Sequence, residues 1–253
     1  MDYFKDAKTT MEVYETEVKI PLEILDKMPK YTVDLFKEMA LGKFEVNSYI
    51  KNMDARMLDS TKERHLKDSY NLAGMYAFVS WKWINPFVDW LDGRKVLEVM
   101  AGRGWWTYAL RQKGVDAIAT DDFSWERRNW TETLTEVETM DAVEAIERYA
   151  NEVDVVLMGW PFMDPTAYRV LKRLHEVNPN IPLVYIGEMG GCTADSNFFE
   201  HYGVIYHDKK FNKVSEEYES WEHIKDSIYL GKYREENDNP DWFLKMYLEK
   251  QKE

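Results

Sequence analysis

A single cysteine, Cys192, stands in 253 residues. One thiol excludes an intramolecular disulfide and a cysteine-rich zinc cluster, and no metal site is expected. Apolar runs are no longer than a strand, so no membrane span is read. The first residues lack the apolar core of a signal peptide, and the expectation is a soluble, cytoplasmic protein. Basic residues are scarce, with 33 Lys and Arg against 46 Asp and Glu, a net charge of −13. Such an acidic surface repels phosphate backbones and disfavours general nucleic-acid binding, while a shape-specific binder stays open. Internal repeats and low-complexity linkers are absent, and oligomeric state is not legible.

Apolar material is plentiful: 45% of residues are hydrophobic and 15% aromatic. That suits one large α/β domain with an added cap. Residues 1–92 read mostly as a helical cap, with helices over 21–28, 32–41 and 61–70. An aromatic stretch over 72–91 then carries Tyr76, Phe78, Trp81, Trp83, Phe87 and Trp90, which either fill the space between helices and sheet or in part wall a ligand pocket. From Lys95 the rhythm changes to strands over 95–100, 117–120, 153–158 and 181–186, alternating with helices over 107–113, around 143–149 and over 165–177. This alternation predicts a doubly wound, mostly parallel Rossmann-like sheet over 93–253. Antiparallel edge strands are expected over 203–206 and 209–214, and a short helix over 240–253.

The run Glu98-Val-Met-Ala-Gly-Arg-Gly104 places a buried strand directly before a tight turn and a helix. Glycines there allow a ligand to approach the backbone, and the helix amino end offers free N–H groups. Asp121 lies 23 residues after Glu98 at the end of the next strand, followed by Asp122. A carboxylate at that place can receive both hydroxyls of a ribose. A dinucleotide fingerprint would need a third glycine where Thr107 stands, and Trp105 and Trp106 crowd the place of a pyrophosphate. Glu98 would repel a diphosphate and suits a cationic amino group. Together these favour S-adenosylmethionine over a dinucleotide.

The segment resembles motif I (E-x-G-x-G-x-G) of the class I S-adenosylmethionine-dependent methyltransferases, with Met100 standing where the pattern has its first glycine. The resemblance covers roughly residues 70 to 190. It implies that Glu98, Ala101, Gly102 and Gly104 meet the methionine portion, Asp121 and Asp122 the ribose side, and Asp141 the adenine. The segment Asp154-Val-Val-Leu-Met-Gly-Trp-Pro161 resembles motif IV, which lines the place of methyl transfer, so Gly159 and Trp160 fall there.

Amino-methyltransferases acting on base nitrogens carry Asp/Asn-Pro-Pro-Tyr/Phe at that place. Gly159-Trp160-Pro161-Phe162 offers no side-chain acceptor in register, so base methylation is a minority reading. Asp164 either substitutes or caps the next helix. Glu188, after the last parallel strand, is a candidate to receive substrate, and Asp195 either joins it or caps a helix. Cys192 reads as a small buried residue. His201 and His207 lack metal-ligand spacing and are assigned surface or edge-strand roles rather than that of a general base, while the tryptophans either flank a sulfonium or fill the core.

The expected function is therefore methyl transfer by direct displacement to a small molecule or a defined protein or RNA site, with Trp160 and Glu188 at the reacting centre. A cofactor-cleaving enzyme on the same fold and a non-catalytic interaction protein stand as alternatives.

Overall fold

The strand Val96–Val99 (β1) is buried at all four positions, as a central strand covered on both faces must be. A computed structural model describes residues 71, 74–124, 133–221 and 224–235. The helices expected over 21–28, 32–41, 61–70 and 240–253 lie outside the described residues.

Around β1 the chain alternates as read from the sequence. It runs through α1 (Trp81–Leu91), β1, α2 (Trp105–Gln112), β2 (Ala117–Asp121), β3 (Glu138–Thr139), α3 (Ala142–Tyr149) and β4 (Val155–Gly159). It continues through α4 (Thr166–Val177), β5 (Leu183–Gly187), α5 (Ser196–His201), β6 (Tyr202–Val204), α6 (Lys209–Glu217) and β7 (Ser227–Tyr233). The seven strands form one Rossmann-like sheet ordered β3-β2-β1-β4-β5-β7-β6. Pairings among β1 to β5 are parallel, whereas β7 runs antiparallel between β5 and β6.

Strand periodicity sorts the core into two layers. On one face Val96, Val155, Leu157, Val184 and Ile186 pack with the aromatic residues of α1 and with Trp105, Trp106 and Phe211. On the other, Leu97, Val99, Val156, Met158 and Tyr185 pack under α3, α4 and α5. Each fully buried side chain of this size stabilises by about 1.5–3 kcal/mol relative to exposure. The segment 75–91 thus joins the sheet's own core.

Three local expectations are corrected. Residues 74–80 are not helical and α1 begins at Trp81, because Ser80 adopts an extended N-cap conformation and accepts from Lys82 N at 3.1 Å. Residues 209–214 are helical rather than an edge strand. Asp208 accepts from Lys210 N and Phe211 N and starts α6, whose Phe211 and Val214 face the core. The second antiparallel strand is instead β7, whose alternating Ile228 and Leu230 are buried. Among the described residues, no helix is long and apolar enough to cross a membrane.

Candidate functional site

From β1 the sheet grows in both directions, to β2 and β3 on one side and to β4 and β5 on the other. The two connections diverge at the carboxyl ends of β1 and β4 and leave a crevice, the usual ligand place in such sheets. A cleft of about 180 Å³, open to solvent at its mouth, occupies that position.

The turn after β1 is built from left-handed backbone. Met100, Gly102 and Gly104 have φ of 56°, 55° and 76°. For Met100 this costs on the order of 1 kcal/mol. Its half-buried side chain packs on the apolar layer under α3 to α5 while still lining the cleft. The turn closes through Ala101 N to the Thr120 carbonyl at 3.0 Å and Gly104 N to the Ala101 carbonyl at 2.9 Å.

Glu98 is buried at 5% exposure and lines the cleft. Its Oε2 accepts from Thr107 N at 2.9 Å and from Thr107 Oγ1 at 2.6 Å, so Thr107 joins the helix start to the strand end. Burial raises its pKa to about 7, against the lowering effect of the two Thr107 bonds, and nearby Asp121 raises it further. Asp121 lines the same wall. Its Oδ2 accepts from Gly102 N and its Oδ1 from Phe123 N, both at 2.7 Å, and burial again raises its pKa. Each oxygen keeps a second lone pair for a ligand hydroxyl. Exposed Asp122 accepts from Ser124 N at 2.9 Å, and Asp141 caps α3 through Val143 N at 2.8 Å. Both also line the cleft.

The opposite wall comes from β4. A Cβ on Gly159 would lie 2.3 Å from Trp106 Cη2, so glycine is what lets the buried indole cross the strand end. The next residue, Trp160, is left-handed at φ 49°, a strained state for a bulky side chain that persists only where its surroundings hold it. They do so here. Its Nε1 donates to Asp226 Oδ2 at 2.9 Å, and its ring stacks near Tyr76 at 6.3 Å and 28°. Asp226 is buried and also accepts from the Tyr218 hydroxyl at 2.8 Å. Burial raises its pKa, opposed by bonds from Ser220, Trp160 and Tyr218.

Of the residues singled out from sequence, Glu98, Ala101, Gly102, Asp121, Asp122, Asp141, Gly159 and Trp160 share this cleft. Gly104 and Glu188 are not brought to its wall. Gly104 starts α2, and a Cβ there would press on Val137 Cγ2 at 2.9 Å. The Glu188 carboxylate accepts from Lys225 N at 3.0 Å and Cys192 N at 3.3 Å, tying two loops together. Cys192 is exposed rather than buried, because its Gly-Gly turn stands away from the core. His201 is buried rather than superficial, with Nδ1 against the Asn197 carbonyl at 2.8 Å and Tyr233 stacked on its ring. His207 is exposed. Asp195 caps α5 through Phe198 N at 2.9 Å, and Asp164 bonds Thr166 N at 2.8 Å while lining the cleft.

The sequence did not assign Thr107, Arg169 or Asp226 to the site, and offered Tyr76 only as one ring of an aromatic stretch that fills the core or walls a pocket. Of the three unassigned, only Thr107 carried a signal, as a hydroxyl at the helix start near a buried acid. Five carboxylates (Glu98, Asp121, Asp122, Asp141, Asp164) line the cleft against one cation, Arg169, among the described residues. No group of three or more His, Cys, Asp or Glu among the described residues is placed to hold a metal ion.

No family model matches the chain, and no curated protein matches it. Solved structures that match include a SAM-dependent methyltransferase from Archaeoglobus fulgidus, 20% identical over 53% of this chain, with a TM-score of 0.34. The chain spans only 58% of that protein's length. A TehB-like SAM-dependent methyltransferase from Corynebacterium glutamicum is 13% identical over 70% of this chain and 100% of its own, with a TM-score of 0.40. A protein of the NADB-Rossmann superfamily from Streptococcus agalactiae is 13% identical over 62% of this chain and 70% of its own, with a TM-score of 0.39.

Proposed function

We propose that the chain is a class I S-adenosylmethionine-dependent methyltransferase whose acceptor is a small molecule or a defined protein or RNA site. The observation that carries this reading is the pairing of Glu98 and Asp121 in one cleft directly above a glycine turn. Glu98 keeps Oε1 available for the ligand's ammonium, and Asp121 keeps a lone pair on each oxygen for the two ribose hydroxyls. Asp122 lies on the ribose side and Asp141 on the adenine side, and the Gly102 turn permits close approach. An excess of carboxylates disfavours a dinucleotide's diphosphate and favours a ligand of net positive charge.

When bound, the cofactor supplies an electrophilic methyl group on a sulfonium. The chain's own task is alignment and exclusion of water, which suffices for direct displacement. Trp160 and the buried Trp105 and Trp106 provide apolar walls for that purpose. We place Trp160 beside the reacting centre; Glu188 acts there only through the loop it ties to Lys225.

Two observations favour a second reading. Both Asp121 oxygens already hold backbone amides, and Met100 fills part of the turn, as a non-catalytic interaction protein would tolerate. Incubation with methyl-labelled S-adenosylmethionine, followed by mass spectrometry, separates the readings. S-adenosylhomocysteine formed only when an acceptor is present supports methyl transfer. Breakdown of the donor without an acceptor points to a cleaving enzyme, and an unchanged donor under all conditions contradicts catalysis.

A further inference from the structure

We propose that Thr107 is a positioning residue of the donor site. It engages one oxygen of the Glu98 carboxyl, leaves the other for the ligand's ammonium, and so couples donor binding to release of a proton from that second oxygen. The inference rests on the methyl-donor reading above and extends it to a residue outside the glycine motif and to the protonation of the site.

Thr107 is fully buried in the first turn of α2. That helix starts at Gly104 without a side-chain cap, so its first-turn amides need partners from elsewhere. Glu98, at the end of the preceding strand, supplies one. Its Oε2 accepts the Thr107 amide at 2.9 Å and the Thr107 hydroxyl at 2.6 Å. Glu98 lines the cleft whereas Thr107 does not, so the hydroxyl acts on a ligand only through the carboxyl. Two donors on Oε2 leave the carboxyl one way to take up a proton without breaking a bond, which is to carry it on Oε1. Among the described residues no donor meets Oε1.

Opposing effects hold this carboxyl near neutrality. Burial raises its pKa to about 7, the two Thr107 bonds lower it, Asp121 on β2 raises it, and Arg111 on α2 lowers it. On the other side β4 brings no titratable side chain over Val155–Gly159. Arg103 is buried in the turn after β1, and Asp122, Asp141, Asp164 and Arg169 line the same cleft. Below about pH 7 the free site therefore holds Glu98 mainly as the acid, with Oε1 a donor. An ammonium needs an acceptor there. On its arrival the O–H bond at Oε1 breaks, the proton leaves to the buffer, and the ammonium keeps its own hydrogens and pairs with the carboxylate. A donor to the charged form, such as the Thr107 hydroxyl, makes that proton easier to lose.

The test is calorimetric titration of the full chain with S-adenosylmethionine and with 5′-methylthioadenosine, which lacks the amino-acid portion, in two buffers of different ionisation enthalpy. Near about pH 6 the wild type should release roughly one proton more per S-adenosylmethionine than per methylthioadenosine, and only the former's affinity should climb as pH rises to about 7. Thr107→Val should weaken S-adenosylmethionine roughly tenfold at neutral pH and move that climb upward by about one pH unit, the size of one hydrogen bond to a charged group. It should leave methylthioadenosine binding within about twofold. Thr107→Ser, which keeps the hydroxyl, should recover most of the loss, and Thr107→Ala gives the same comparison should the valine variant fail to fold. Equal weakening of both ligands with the climb in place, S-adenosylmethionine bound without the extra proton, or affinity unchanged in the valine and alanine variants overturns this inference and leaves the methyl-donor reading standing. No binding of S-adenosylmethionine by the wild type overturns both.

Discussion

Glu98 and Thr107 are joined by two hydrogen bonds to one carboxylate oxygen, from the Thr107 amide at 2.9 Å and its hydroxyl at 2.6 Å. This contact fixes the end of β1 to the first turn of α2 and sets the floor of the cleft. Thr107→Val keeps the shape and removes the hydroxyl donor. It should destabilise the fold by about 1–3 kcal/mol, the cost of leaving a buried acceptor short of a partner. Urea unfolding of the two proteins measures the difference, and equal midpoints would show the hydroxyl to be dispensable.

The same carboxyl makes stability depend on pH. Its pKa rises on folding from 4.5 to about 7 because burial disfavours the charged form. The folded state therefore binds more protons than the unfolded one between those values. Stability from this group is full below the unfolded pKa and is lost as pH rises through about 7. The difference approaches about 3 kcal/mol at alkaline pH. Glu98→Gln, neutral throughout, should flatten this part of the unfolding profile. A variant that keeps the wild-type slope would assign the slope to other groups.

Met100 is held in the left-handed region, where a side chain is strained. Met100→Gly relieves on the order of 1 kcal/mol of backbone strain and loses a similar amount of packing, so its thermal midpoint should change little. Met100→Val, branched at Cβ, should instead cost about 2 kcal/mol. If both variants melt together, the backbone at Met100 is not the limiting feature.

Gly159→Ala should cost about 1–3 kcal/mol by driving a methyl group into the Trp106 indole. Trp106→Leu in the same chain should recover part of that loss, giving a favourable coupling energy in a double-mutant cycle. Strict additivity would mean that the strand end and the indole relax independently.

Much of this was legible in the sequence. The buried runs around Val96 and Val155 and the turn at Gly102 follow from local rules of period and backbone freedom. Asp121 could be placed at a strand end by spacing alone. What escaped depends on contacts between distant segments. Asp226 meets Trp160 across 66 residues, which no local pattern encodes. Residues 209–214 looked like an edge strand until Asp208 capped them as a helix and Phe211 was drawn against Trp90. Glu188 follows a parallel strand as a site residue would, yet the arrival of Lys225 claims its carboxylate.

The most direct measurement is calorimetric titration of S-adenosylmethionine into the full chain and into Glu98→Gln and Asp121→Asn. The account predicts saturable one-site binding by the wild type. Each variant should weaken it roughly tenfold or more, as loss of a charged hydrogen-bonding partner does. Absence of binding by the wild type, or affinity unchanged in both variants, would contradict it.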